Sequence, residues 1–113
     1  MSPRTSAAGS LQKSAPVFSA LGDETRLRLI ALLCAGGALS IAQLTAGTDI
    51  TRQAVTKHLQ VLADAGLVRD LWQGRERLWE FEAGRLDEAR RSLDTIAQQW
   101  DRALARLKAR LED

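Results

Sequence analysis

The chain is expected to fold as a mainly α domain with a small β-hairpin wing, a winged helix-turn-helix that is dimeric through its terminal helices. Three observations predict this. A capped amphipathic helix beginning at Thr51 follows a short capped helix across a glycine-containing turn. Two short runs rich in large apolar residues, Leu67–Trp72 and Arg77–Glu82, flank Gln73-Gly74-Arg75-Glu76, which is a hairpin pattern. The segment from Gly84 to Asp113 has no proline and no further glycine, and repeats its apolar residues at heptad spacing.

Composition bounds the reading. With 113 residues, 45% of them hydrophobic and 4% aromatic, the chain suits one domain with a modest core of Leu, Ala, Ile and Val. Sixteen basic against fourteen acidic residues is too even a balance to argue for nucleic acid by itself. No apolar run is long enough to span a bilayer, and the polar start, MSPRTSAAGS, lacks the apolar stretch of a secretory signal. A cytoplasmic location is expected. Residues 1–10 read as a disordered tail, 11–83 as the winged helix-turn-helix, and 84–113 as a long dimerisation helix of the same domain.

The elements follow in order. Ser14 to Leu21 suits a short helix with Val17, Phe18 and Leu21 on one face and Pro16 in its first turn. Gly22 ends it and Asp23 caps the next, where Leu27, Ile30, Ala31 and Cys34 are read as one apolar face with Leu29 and Leu33 beside it. Cys34 is therefore expected to be a small buried hydrophobe. As the only cysteine, it forms no disulfide within the chain. Ser40 and Gln43 form a capping-box pattern at the start of Ile41 to Ala46. Gly47-Thr48-Asp49 is a turn. Thr51 then caps a helix that Gly66 closes, with Val55, Leu59 and Leu62 on its apolar stripe.

The outer face of that helix carries the functional signal. Gln53, Thr56, Lys57 and Gln60 bring two amides, a hydroxyl and a cation, with no carboxylate before Asp64. A merely solubilising face mixes both signs of charge. This one suits hydrogen bonding to base edges and phosphates, with Arg52, Gln53, Thr56 and Lys57 at the end that enters a major groove. His58 lies beside the apolar stripe, where a packed or phosphate-contacting role outweighs a metal role, because a metal site needs several convergent donors. Arg75 and Arg77 in the hairpin suit phosphate or minor-groove contact, or a solvated turn.

In the last segment Leu86, Leu93, Trp100 and Leu107 recur every seven residues, with Ala89, Ile96 and Ala103 between them. Large apolar side chains contribute roughly 1.5–3 kcal/mol each when buried, so leaving such a stripe bare is an aggregation hazard. Pairing with a second copy is favoured over closure onto the chain's own core. Phe18, Leu86, Leu93, Ile96, Trp100 and Leu107 are the expected interface, with Leu11 and Val17 joining it.

The stretches FSALGDETRLRLIALL and AQLTAGTDITRQAVTKHLQVLADAGLVRDLWQGRERLWEF resemble the ArsR/SmtB family of dimeric winged-helix repressors, over roughly Val17 to Phe81. The resemblance implies a homodimer on an imperfect palindrome in double-stranded DNA. It assigns DNA contacts to Arg52, Gln53, Thr56, Lys57 and His58, and wing contacts to Arg75 and Arg77. Metal-sensing members carry a Cys-x-Cys pair near the start of the third helix, where this chain has Ser40 and Ala42. Others place Asp and His ligands on the terminal helix, which here has neither histidine nor cysteine. No metal and no cofactor are expected, and the effector is open. The rival readings are a protein–protein assembly module and a repressor with a small apolar ligand at the dimer interface near Trp100. An enzyme is not expected, since there is no phosphate-binding loop and no set of triad partners.

Overall fold

The computed structural model describes residues 7–112. Its elements are α1 (Ala7–Lys13), α2 (Ala15–Leu21), α3 (Glu24–Gly36), α4 (Ile41–Ala46), α5 (Arg52–Asp64), β1 (Val68–Gln73), β2 (Glu76–Phe81) and α6 (Gly84–Glu112). Residues 1–6 of the expected tail, and Asp113, lie outside the described residues. Positions 7–10, expected to be tail, instead open α1, which packs against α6. That docking is a tertiary effect with no apolar periodicity of its own to announce it.

Local chemistry sets the helix ends. The Asp23 carboxylate accepts from the Arg26 backbone N–H at 3.0 Å and caps α3. Arg26 N–H, more than any other group, holds the Asp23 carboxyl below its ordinary pKa of 3.8. At α4 the capping box is complete. Gln43 N–H donates to Ser40 Oγ at 3.2 Å, and Ser40 N–H donates to Gln43 Oε1 at 2.8 Å. At α5, Thr51 Oγ1 accepts from Ala54 N–H at 3.1 Å. The far end of α5 closes by a Schellman motif: Leu67 N–H reaches Leu62 O at 2.9 Å and Gly66 N–H reaches Ala63 O at 3.0 Å. Gly66 sits at φ +77°, and a Cβ there would also meet Arg85 Cγ at 2.7 Å, so two constraints select glycine.

The core gathers Leu29 and Leu33 of α3, Leu44 of α4, and Val55, Leu59 and Leu62 of α5, with Leu67, Val68 and Trp79 closing one end. Val17 and Ala20 of α2 and Ala89 of α6 close the other. Two expectations for α3 are corrected. Leu29 and Leu33 face the core, whereas Leu27, Ala31 and Cys34 are exposed. The reason is that α3 has apolar residues on almost every side, so periodicity alone does not fix which face turns inward. Val17 is likewise committed to the core and not to a subunit interface.

The hairpin is antiparallel and pairs Val68 with Phe81 through to Gln73 with Glu76. Its two-residue turn is Gly74-Arg75, with positive φ only at Gly74, as in a type II′ turn. A further short pairing joins Leu39 to Trp79, with N–H···O distances of 2.9 and 2.8 Å in the two directions. It ties the segment before α4 to β2, so the hairpin's base is held by the helix-turn-helix.

Over its 29 residues α6 runs about 43 Å at 1.5 Å per residue. Its first turns lie on the domain, where Ala89 and Ser92 are buried and Leu86 packs partly against the core. Leu86, expected at the subunit interface, is thus half-covered by the chain's own core. Beyond it the apolar stripe is uncovered: Leu93, Trp100, Leu104, Leu107 and Leu111 are all exposed, and Ile96 is half-buried. Leu11, Ala15 and Phe18 line an open, apolar depression on the neighbouring helices, although Phe18 also touches the core. Among the described residues, no helix is long and apolar enough to cross a membrane.

Candidate nucleic-acid interface

The turn between α4 and α5 is pinned from behind. Arg28 Nε donates to Gly47 O at 2.8 Å, and Thr48 Oγ1 donates to Thr45 O at 3.0 Å. A Cβ on Gly47 would come within 2.8 Å of Leu32 Cδ1, so a larger residue there would push the Leu32 side chain of α3 aside. This fixes where α5 begins.

The start of α5 is a positively biased surface. Its first turn holds no acid, so the helix dipole and unsatisfied N–H groups are left to attract an anion. Arg52, Gln53 and Lys57 are exposed and have no side-chain partner among the described residues. Thr56 donates its hydroxyl to Arg52 O at 2.9 Å, which leaves the oxygen able to accept. Gln60 is taken up by Asp64 at 2.9 Å. The buried stripe of Val55, Leu59 and Leu62 turns this unpaired polar set outward on a rigid element.

His58 is placed differently from the rest. It is half-buried, its Nδ1 lies 3.3 Å from Arg26 Nη1, and Asp23 Oδ2 is 3.9 Å away. A guanidinium has only donors, so in this pairing the ring nitrogen is the acceptor. Arg26 also donates to Ala20 O at 2.6 Å. His58 therefore bolts α5 to the α2–α3 junction. Of the two roles expected for it, packing and phosphate contact, this geometry supplies the packed one, through the GDETR stretch that precedes and opens α3.

The hairpin is nearly self-neutralised. Arg77 Nε donates to Asp70 Oδ2 at 2.9 Å, and its guanidinium lies 4.7 Å above the Trp79 ring. Arg69 Nε donates to Glu80 Oε1 at 2.7 Å, with Glu82 at 3.5 Å. The Glu80 hydrogen bond and charge, then Glu82, push the Arg69 pKa above the ordinary arginine value. Arg75, at the turn, has no ion-pair partner among the described residues. So of the two wing residues expected at DNA, Arg75 is available and Arg77 is already engaged.

A capped helix behind a pinned turn, with a hairpin joined to its base, defines a protein of the winged helix-turn-helix class. A helix-turn-helix domain family matches residues 21–70. The HTH-type transcriptional regulator Rv2034 of Mycobacterium tuberculosis is 36% identical over 87 residues, covering 77% of this chain and 78% of that protein. An ArsR-like transcriptional regulator from Rhodococcus sp. RHA1 superposes with a TM-score of 0.80 at 36% identity, covering 89% of this chain and 94% of that one. The homodimeric winged helix-turn-helix domain Mb0332 of Mycobacterium bovis gives 0.63 at 28% identity, covering 88% and 89%. The chain belongs to the ArsR/SmtB family of winged-helix regulators.

Proposed function

We propose that the protein is a homodimeric repressor of a palindromic promoter site. Two copies of α5 enter successive major grooves about 34–36 Å apart, and the terminal helices set that spacing. Arg52 and Lys57 meet phosphate or guanine, Gln53 reads an adenine edge, and Thr56 touches a phosphate or a thymine methyl. Arg75 reaches the backbone or minor groove from the wing. The observation that carries this reading is the unpaired, acid-free first turn of α5. Pairing is supported by the uncovered stripe from Leu93 to Leu111, whose burial contributes on the order of 10 kcal/mol gross per copy. Its working place on this reading is the cytoplasm.

No metal enters the reading. Ser40 and Ala42 offer no thiolates, and no group of three His, Cys, Asp or Glu side chains suited to a metal gathers among the described residues. Zn²⁺ is expected to leave DNA affinity unchanged in a titration, and a large response would overturn this part.

Selection of bound duplexes from a random pool at fixed salt tests the whole proposal. A two-fold symmetric consensus with half-sites one helical turn apart is expected. In sedimentation, Trp100→Asp is expected to yield monomers. An undisturbed dimer would falsify the α6 interface, and failure to enrich any duplex would sink the DNA reading.

A further inference from the structure

Trp72 stands alone on the hairpin. It is 65% exposed, next to last in β1 and directly opposite Arg77. Alternation places Asp70, Trp72, Arg77 and Trp79 on one face of the ladder. Arg77 is held by Asp70 and lies over Trp79, so its guanidinium is engaged away from the Trp72 ring. Between Val68 and Phe81 the hairpin carries Arg69, Arg75 and Arg77 against Asp70, Glu76 and Glu80, a net charge of zero. Two of its three arginines are paired. As an electrostatic clamp on phosphates, such a wing is weak. What it presents near its tip is one cation, Arg75, with the exposed Glu76 carboxylate next to it in the chain, and one bare indole.

We infer that Trp72 is the wing's main contact with the duplex, its ring lying against the sugars and base edges of the minor groove beside Arg75. This rests on the DNA-binding reading above and sharpens it. Minor-groove proteins combine arginine with apolar side chains set against base steps, and the groove walls offer a large ring apolar surface. The indole also has one donor, Nε1–H, and no acceptor. The minor groove over A·T pairs shows only acceptors, whereas G·C adds a donor. The wing thereby favours A·T pairs where it lands. The contact carries no charge, so its strength is independent of counterion release.

The test uses the full chain and a duplex recovered by selection from a random pool. Affinity is read by anisotropy with a labelled duplex across a salt series. Contact is read by intrinsic tryptophan emission with an unlabelled one. Trp72→Ala is expected to weaken binding about tenfold with an unchanged salt slope. Arg75→Ala is expected to lower the slope by about one unit for each phosphate it no longer neutralises. Adding duplex is expected to quench wild-type emission, and Trp72→Phe to remove most of that quench while Trp79 and Trp100 remain. Replacing flanking adenines by diaminopurine puts an amino group in the minor groove, which is expected to weaken the wild type more than Trp72→Ala. Wild-type affinity and undiminished quenching in the Trp72 variants would overturn the inference while leaving DNA binding by α5 intact. A wild type that binds no duplex even at low salt would overturn the DNA-binding reading, and this contact with it.

Discussion

Helix α5 and the hairpin both carry basic residues on exposed surface, but they use their charge differently. In α5 the first turn has no acid, and Arg52, Gln53 and Lys57 are unengaged among the described residues. In the hairpin, Arg69 and Arg77 each find a carboxylate across the ladder. An arginine that already donates to a carboxylate brings little net field to a phosphate, because the pair's far field largely cancels. The lesson is that counting cations says where charge is, and only their partners say whether it is available.

The contrast can be broken at either region. The largest expected effect is Gln53→Ala, at roughly 1–3 kcal/mol of discrimination confined to one base pair per half-site. Equal weakening on all duplexes, measured by competition, would remove base reading from that position. Next is Lys57→Ala, which should flatten the log–log salt dependence by about one unit for each phosphate left without its cation. Arg77→Ala should leave that slope unchanged and lower stability by less than about 1 kcal/mol, as expected for an exposed ion pair. A clear fall in slope would show that Arg77 leaves Asp70 to meet DNA.

The smallest effect is acid sensitivity behind α5. The Asp23 carboxyl is depressed below 3.8 by its cap bond to Arg26 N–H. A depressed carboxyl contributes stability that is present above its unfolded value and lost as pH falls through the folded one. The wild-type melting temperature should therefore drop as pH is taken below 3.8, and Asp23→Asn, which still caps, should lose that component. Identical acid profiles for the two proteins would remove the cap from the account.

Much of the fold was legible because its punctuation is local. Ser40 with Gln43, Thr51, Gly66 and the Gly74 turn each act within a few residues, and each forms the bond its pattern announces. What stayed hidden depends on distant partners. The Leu39–Trp79 pairing joins segments forty residues apart. The phase of α3 is decided by what packs on it, which is how Cys34 comes to face solvent. For the site, the outward set on α5 could be read from helical spacing, whereas the capture of His58 by Arg26 and of Arg77 by Asp70 needed the fold to bring them together.

The bare half of α6 has a consequence for handling and for the cell. On the proposed pairing, its cover comes from another molecule, so mass action couples dissociation to unfolding. Melting should then shift upward with dosage, and a scarce regulator would be a less durable one.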